Sequence, residues 1–131
     1  MSRETINALL LLLPAMLITA TSQLSFKHGM TQVGELHASV SAFVAILPKM
    51  LTNPFIWVGV IGEFSALALY LSVISRVPLS LAYPTLALGY LITALLARAI
   101  LGEQVTWLRI AGIGVIVFGV ALVGLSETSG N

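Results

Sequence analysis

Glu63 stands near the middle of an apolar run, Pro54 to Ile74, that is long enough to cross a bilayer. A carboxylate at that depth costs about 3 kcal/mol or more unless it is protonated, paired or hydrated, and such groups mark pathways more often than not. Counted from Phe55 at about 1.5 Å per residue, Glu63 lies about 12 Å along its helix, close to the bilayer centre. Hydrocarbon disfavours the charged form. A group that gives up its proton when water or a cation arrives is what proton coupling requires. Tyr70, seven residues on, shares the Glu63 face, so its phenol is placed to line the same cavity. The other account of Glu63 is a neutral acid hydrogen-bonded to a neighbouring helix for packing specificity alone.

Other polar groups cluster in the first and third apolar runs. Thr19, Ser22, Gln23 and Phe26 follow the i, i+3, i+4, i+7 spacing that puts side chains on one helical face. That face suits a cavity wall, and it equally suits interhelical hydrogen bonds. Gln23, with four hydrogen-bonding sites to satisfy, leans toward a binding role. In the third run, Tyr83 and Tyr90 are seven apart, Pro84 removes the backbone bond to Ser80, and Gly89 offers a second flexible point. Arg98 near the end of that run and Lys27 at the end of the first have two readings: snorkelling to the interface or contact with a phosphate. Trp57 and Trp107 sit near span ends, as interfacial anchors do.

These groups are carried by a chain that is 58% hydrophobic and only 8% charged, with a mean hydropathy of +1.04. A water-facing surface needs about 25% charged residues, so the expected class is an all-α membrane protein. Four runs reach the roughly 20 residues that spanning takes: 6–26, 55–74, 79–101 and 107–125. They form one domain over 1–131. The connections 75–78 and 102–106 are short, so spans two to four are sequential antiparallel neighbours. Residues 36–51 are apolar with interspersed polar groups and too short to cross. They read as a short helix at the interface, broken at Pro48. Arg3 followed by Leu9 to Leu13 resembles a signal peptide, but the run outlasts a typical one, so an uncleaved first span is expected. Lys27, Lys49, Arg98 and Arg109 on one side against Arg3 and Arg76 on the other favour chain ends outside the cytoplasm by a narrow margin, and insertion both ways up is compatible with it.

The composition also excludes. Six basic residues and a net charge of +1 leave no footprint for nucleic acid. Without cysteine there is no disulfide, thiolate site or cysteine nucleophile. His28 and His37 lack ligand partners at metal spacing, and no nucleotide-binding or hydrolase motif is present. The expectation is a non-enzyme with no catalytic residues, cofactor or metal. Four helices are too few to enclose a solute route, so transport calls for at least two copies. Gly112 and Gly119, and likewise Gly114 and Ala121, recur seven apart on span four, and small residues there would let a second helix approach closely. Packing within the chain is the competing account.

Val77 to Leu88, with its Ala82-Tyr83-Pro84 core, and Leu101-Gly102-Glu103 running on to Gly112 resemble the drug/metabolite transporter superfamily. The likeness is to its four-helix, small-multidrug-resistance-like (EamA-like) members. Among these it most resembles the subunits that flip aminoarabinose-phosphoundecaprenol across the bacterial inner membrane. Gln23 to Lys27 is similar to the end of their first helix, and the 36–51 segment is similar to their insertion. The resemblance covers about 100 of the 131 residues. It implies a multi-pass inner-membrane transporter acting on a membrane lipid, as a homodimer or beside a homologous small subunit. This chain departs from the multidrug exporters: Thr19 stands where their helix-one glutamate lies, and Leu86 where a tryptophan follows the Ala-Tyr pair. The resemblance does not supply Glu63, whose role rests on physical argument.

The leading expectation is a dimeric flippase for a polyprenyl-phosphate-linked sugar or similar anionic lipid. Gln23, Tyr83 and Tyr90 would hydrogen-bond the sugar, with Thr19, Ser22 and Tyr70 on the cavity wall; Lys27 or Arg98 would take the phosphate, Glu63 would sense protonation or pair with an amino group on the substrate, and Pro84 and Gly89 would flex. The alternatives are a proton-coupled exporter of small organic cations using Glu63, and a non-transporting subunit of a membrane glycosyltransferase assembly.

Overall fold

The computed structural model describes residues 1–129 and is all-helical, with no strand among them. Helix α1 (Arg3–Leu10) runs into α2 (Leu12–Val33), and after the short α3 (Val40–Leu51) come α4 (Pro54–Ile74), α5 (Leu79–Leu86), α6 (Gly89–Leu101) and α7 (Trp107–Ser129). Four stretches are long and apolar enough to cross a membrane: Arg3–Val33, Pro54–Ile74, Leu79–Leu101 and Trp107–Ser129. The protein is therefore a four-span membrane protein with one additional short helix.

Local chemistry sets the boundaries. The Asn53 Oδ1 accepts from the amides of Phe55 (2.9 Å) and Ile56 (3.3 Å), capping α4 just ahead of Pro54, whose missing N–H is harmless in the first turn. Ser39 caps α3 by accepting from the Ala42 amide at 3.2 Å. At the other ends, α2 stops at Gly34 (φ 112°) and α6 at Gly102 (φ 69°), conformations that a Cβ would strain.

Two spans bend near a proline. Pro14 cannot donate to the Leu10 carbonyl, and Leu11 there turns tightly, its amide bonding Ala8 three residues back at 3.1 Å. In span three the helix continues past Pro84 and breaks at Ala87 and Leu88. Their amides reach back three residues to Pro84 (2.9 Å) and Thr85 (3.1 Å), and Tyr90 and Leu91 repeat the pattern, a short 3₁₀ segment between two α-helices. The break expected at Pro48 does not occur, and α3 carries through to Leu51. The ring there removes one bond, to Val44, on a turn whose side chain is 60% exposed.

The tightest contact joins α2 and α4. A Cβ added at Gly59 would come within 2.6 Å of the Phe26 ring, one at Gly29 within 2.9 Å of Ile56, and one at Gly62 would collide with the Ser22 hydroxyl. Glycine on one helix thus receives a side chain from the other, the close approach that drives helix association in lipid. At the opposite end, Ala8, Leu12, Met16, Val73, Val77 and Ala82 form the core where α1 and α2 meet the end of α4 and the start of α5. Helix α6 also packs on α2, whereas α7 touches chiefly α5 and buries no residue.

Candidate functional site

Helices α4 and α6 both lean on α2 but make little contact with each other, leaving a cleft of about 470 Å³. Its floor is Ala15, Met16, Thr19 and Gln23 of α2; one wall is Glu63, Ala66, Leu67 and Tyr70 of α4; the other is Leu86, Gly89, Tyr90 and Thr93 of α5 and α6. Ala15, Thr19 and Gln23 are spaced four apart, and Glu63, Ala66, Leu67 and Tyr70 follow i, i+3, i+4, i+7, so each helix offers one face. Leu67 (47% exposed) and Tyr90 (64% exposed) form the lips, which open sideways from the bundle.

The polar end of the cleft is an interhelical pair. Gln23 Nε2 donates to Glu63 Oε1 at 3.2 Å, and Glu63 is half-buried. One amide donor satisfies part of what a carboxylate accepts, so capacity remains for a further donor. From Gln23 down to Met16 is about 10 Å of helix, over which the lining turns from amide and carboxylate to thioether and phenol. Tyr70 and Tyr90 come from opposite walls. A cleft of this kind can hold a polar group at one end and aromatic or alkyl contacts along the rest.

Of the residues singled out from the sequence, the cleft gathers Glu63, Gln23, Thr19, Tyr70, Tyr90 and Gly89. Ser22 lies elsewhere: it is buried against Gly62 in the α2–α4 contact, and its hydroxyl donates to the Ile18 carbonyl at 2.8 Å. Tyr83 is 68% exposed and does not line the cleft, because the 3₁₀ break between it and Tyr90 disrupts the seven-residue repeat. Pro84 lies within α5, three residues before that break at Ala87. Lys27 sits outside the cleft and pairs with Glu103 at 3.8 Å, tying the end of α2 to the loop before α7. Arg98 lies on the far side of α6, facing α7. A Cβ at Gly112, Gly114 or Gly119 would meet nothing within 4 Å, and Ala121 is exposed, so close packing within the chain does not account for these small residues. Sequence reasoning passed over Thr93 and took Glu103 only as part of the Leu101-to-Gly112 motif, without its Lys27 partner. The signal for Thr93 is its place one turn beyond Gly89; Glu103 has no local signal, since its partner lies 76 residues away.

Known proteins bear on what this arrangement belongs to. No family model matches the chain, and no solved structure matches it. A curated relative does: the flippase subunit ArnF of Erwinia tasmaniensis is 30% identical over 118 residues, covering 88% of this chain and 92% of that protein. The chain belongs to the ArnE/ArnF family of flippase subunits. The ArnF protein of Shewanella sediminis is 29% identical over 131 residues, with 91% of this chain and 88% of that protein covered. The ArnE protein of Pseudomonas fluorescens is 36% identical over 72 residues, 55% of this chain and 63% of its own length. The match thus spans just under two thirds of that ArnE protein. The names of all three relatives specify 4-amino-4-deoxy-L-arabinose-phosphoundecaprenol as what the flippase handles. None of the three is named as an enzyme.

Proposed function

We propose that the chain is a subunit of a small inner-membrane transporter that moves a polyprenyl-phosphate-linked sugar, or a similar anionic lipid, between leaflets. The observation that carries this reading is the Gln23–Glu63 pair, within the first two membrane-spanning helices, in a cleft between α4 and α6. A sideways opening lets a sugar headgroup enter while its hydrocarbon stays in the bilayer. The headgroup then exchanges water for Gln23, Thr19, Tyr70 and Tyr90, which lowers the cost of carrying hydroxyls across hydrocarbon. An amino group on the sugar is the natural partner for Glu63, since ammonium and carboxylate neutralise each other where neither is well solvated. Amino sugars are what the relatives' names describe. Four helices do not enclose the route, so a second copy or a homologous small subunit completes it, with span three flexing between Pro84 and Gly89.

The test is transport in proteoliposomes that contain this chain alone or with a homologous subunit. A polyprenyl-phosphate amino sugar is loaded in one leaflet, and its amine is titrated from outside with a membrane-impermeant reagent. Glu63→Gln preserves the Gln23 contact, because an amide oxygen also accepts, but removes the charge; the initial rate should fall at least about tenfold. A wild-type rate in the variant would overturn the assignment.

A carboxylate at one end of a cleft that also holds two tyrosines favours a second reading, a proton-coupled exporter of small organic cations. That reading expects a small organic cation alone to drive proton movement through Glu63, with no competition from lipid-linked sugar.

A further inference from the structure

Helix α6 presents a second face. Leu91, Leu95 and Arg98 line a separate groove of about 400 Å³, closed on its far side by Ile110, Ile113 and Val117 of α7. The groove is apolar along its length and carries one charge, Arg98, at the end nearest the loop to α7. Arg98 and Leu91 are seven residues apart, about 10 Å of helix, and Ile110 to Val117 runs the same distance in the opposite sense. The Arg98 guanidinium has no hydrogen bond or ion pair with any of the described residues; the ion pair found among them joins Lys27 to Glu103. Its five donors form a planar fork that matches phosphate oxygens two at a time. A cation without a counter-ion at the rim and a hydrocarbon slot beneath it are complementary to the two parts of a lipid phosphate.

We propose that the α6–α7 groove holds a lipid phosphate, with the phosphate on Arg98 and the first part of the hydrocarbon chain between Leu91 and Val117. The proposal rests on the transport reading above: with its phosphate on Arg98 the lipid lies on the α7 side of α6, at a station distinct from the headgroup cleft. Gly114 makes the space. It lines the groove, and a Cβ there meets no atom within 4 Å, so a larger side chain would occupy the slot without colliding with the protein. Gly112 is equally open but does not line the groove.

The experiment is native mass spectrometry of the full chain in detergent micelles, offered polyprenyl monophosphate, the uncharged polyprenol of the same length, or inorganic phosphate. The wild type should retain polyprenyl phosphate about tenfold better than polyprenol and should not retain inorganic phosphate. Arg98→Gln should reduce retention to the polyprenol level, and Gly114→Leu should cut it about tenfold, while Gly112→Leu leaves it unchanged. If the wild type retains the lipid but Arg98→Gln and Gly114→Leu retain it equally, the groove is wrong and the transport reading survives. A wild type that holds polyprenyl phosphate no better than polyprenol sinks both. Retention of inorganic phosphate alone would remove the chain from the site. Equal losses in Gly112→Leu and Gly114→Leu would assign the effect to a helix contact and overturn the groove.

Discussion

The α2–α4 pair and α7 use the same small residue for opposite ends. Gly29, Gly59 and Gly62 each face a side chain of the partner helix at a distance that leaves no room for a methyl group. Gly112, Gly114, Gly119 and Gly124 face nothing within 4 Å. A glycine-rich helix is therefore not by itself evidence of a tight contact. The first pair is a built joint that fixes Gln23 against Glu63, while α7, with no buried residue, is a surface offered to whatever lies beside it.

The largest effect that would test this contrast is at Gly59. In Gly59→Leu the new side chain has to displace the Phe26 ring, and overpacking of that kind costs roughly 1–3 kcal/mol. Reversible unfolding in mixed micelles should show the loss, together with weakened Gln23–Glu63 coupling; an unchanged midpoint would mean that α2 and α4 are not a tight joint. A smaller loss is expected from Asn53→Ala, which strips the N-cap of α4 and the bond from Asn53 Nδ2 to Gln32 Oε1 (3.0 Å). Removal of a cap costs about 1 kcal/mol, measurable by the same unfolding curve. The smallest belongs to Gly119→Leu, whose monomer stability should stay within about 0.5 kcal/mol of wild type. If α7 is a subunit contact, cross-linking should nonetheless show fewer dimers in that variant, and a stability loss matching that of Gly59→Leu would erase the distinction between the two helices.

The spans were largely legible from hydropathy because lipid imposes a simple rule on length and polarity. Leu79–Leu101 has the expected limits, and Pro54 marks the start of α4 through its ordinary place in a first turn. The first helix runs on to Val33, past the expected end at Phe26, because Lys27, His28 and Gln32 are polar without being helix-breaking. Its stop signal is Gly34. The site was legible in part. Glu63, Gln23 and Tyr70 follow from period and depth on uninterrupted helices. Tyr83 does not, since a seven-residue spacing predicts a shared face only where the helix is unbroken. Ser22 was misplaced for another reason: one polar face of α2 is divided between the cleft and α4, and only the position of α4 decides which residue goes where.

The first span has a further consequence. Its 31 residues, at about 1.5 Å each, trace about 46 Å along a path that turns at Leu11, well beyond the roughly 30 Å of a hydrocarbon core. Such a helix cannot stand upright within the membrane; it leans, or its ends project among the headgroups. Because α4 is locked to it, the depth of the polar pair is not set by sequence position alone. Bilayer thickness then acts as a mechanical variable that sets how deep the Gln23–Glu63 pair lies.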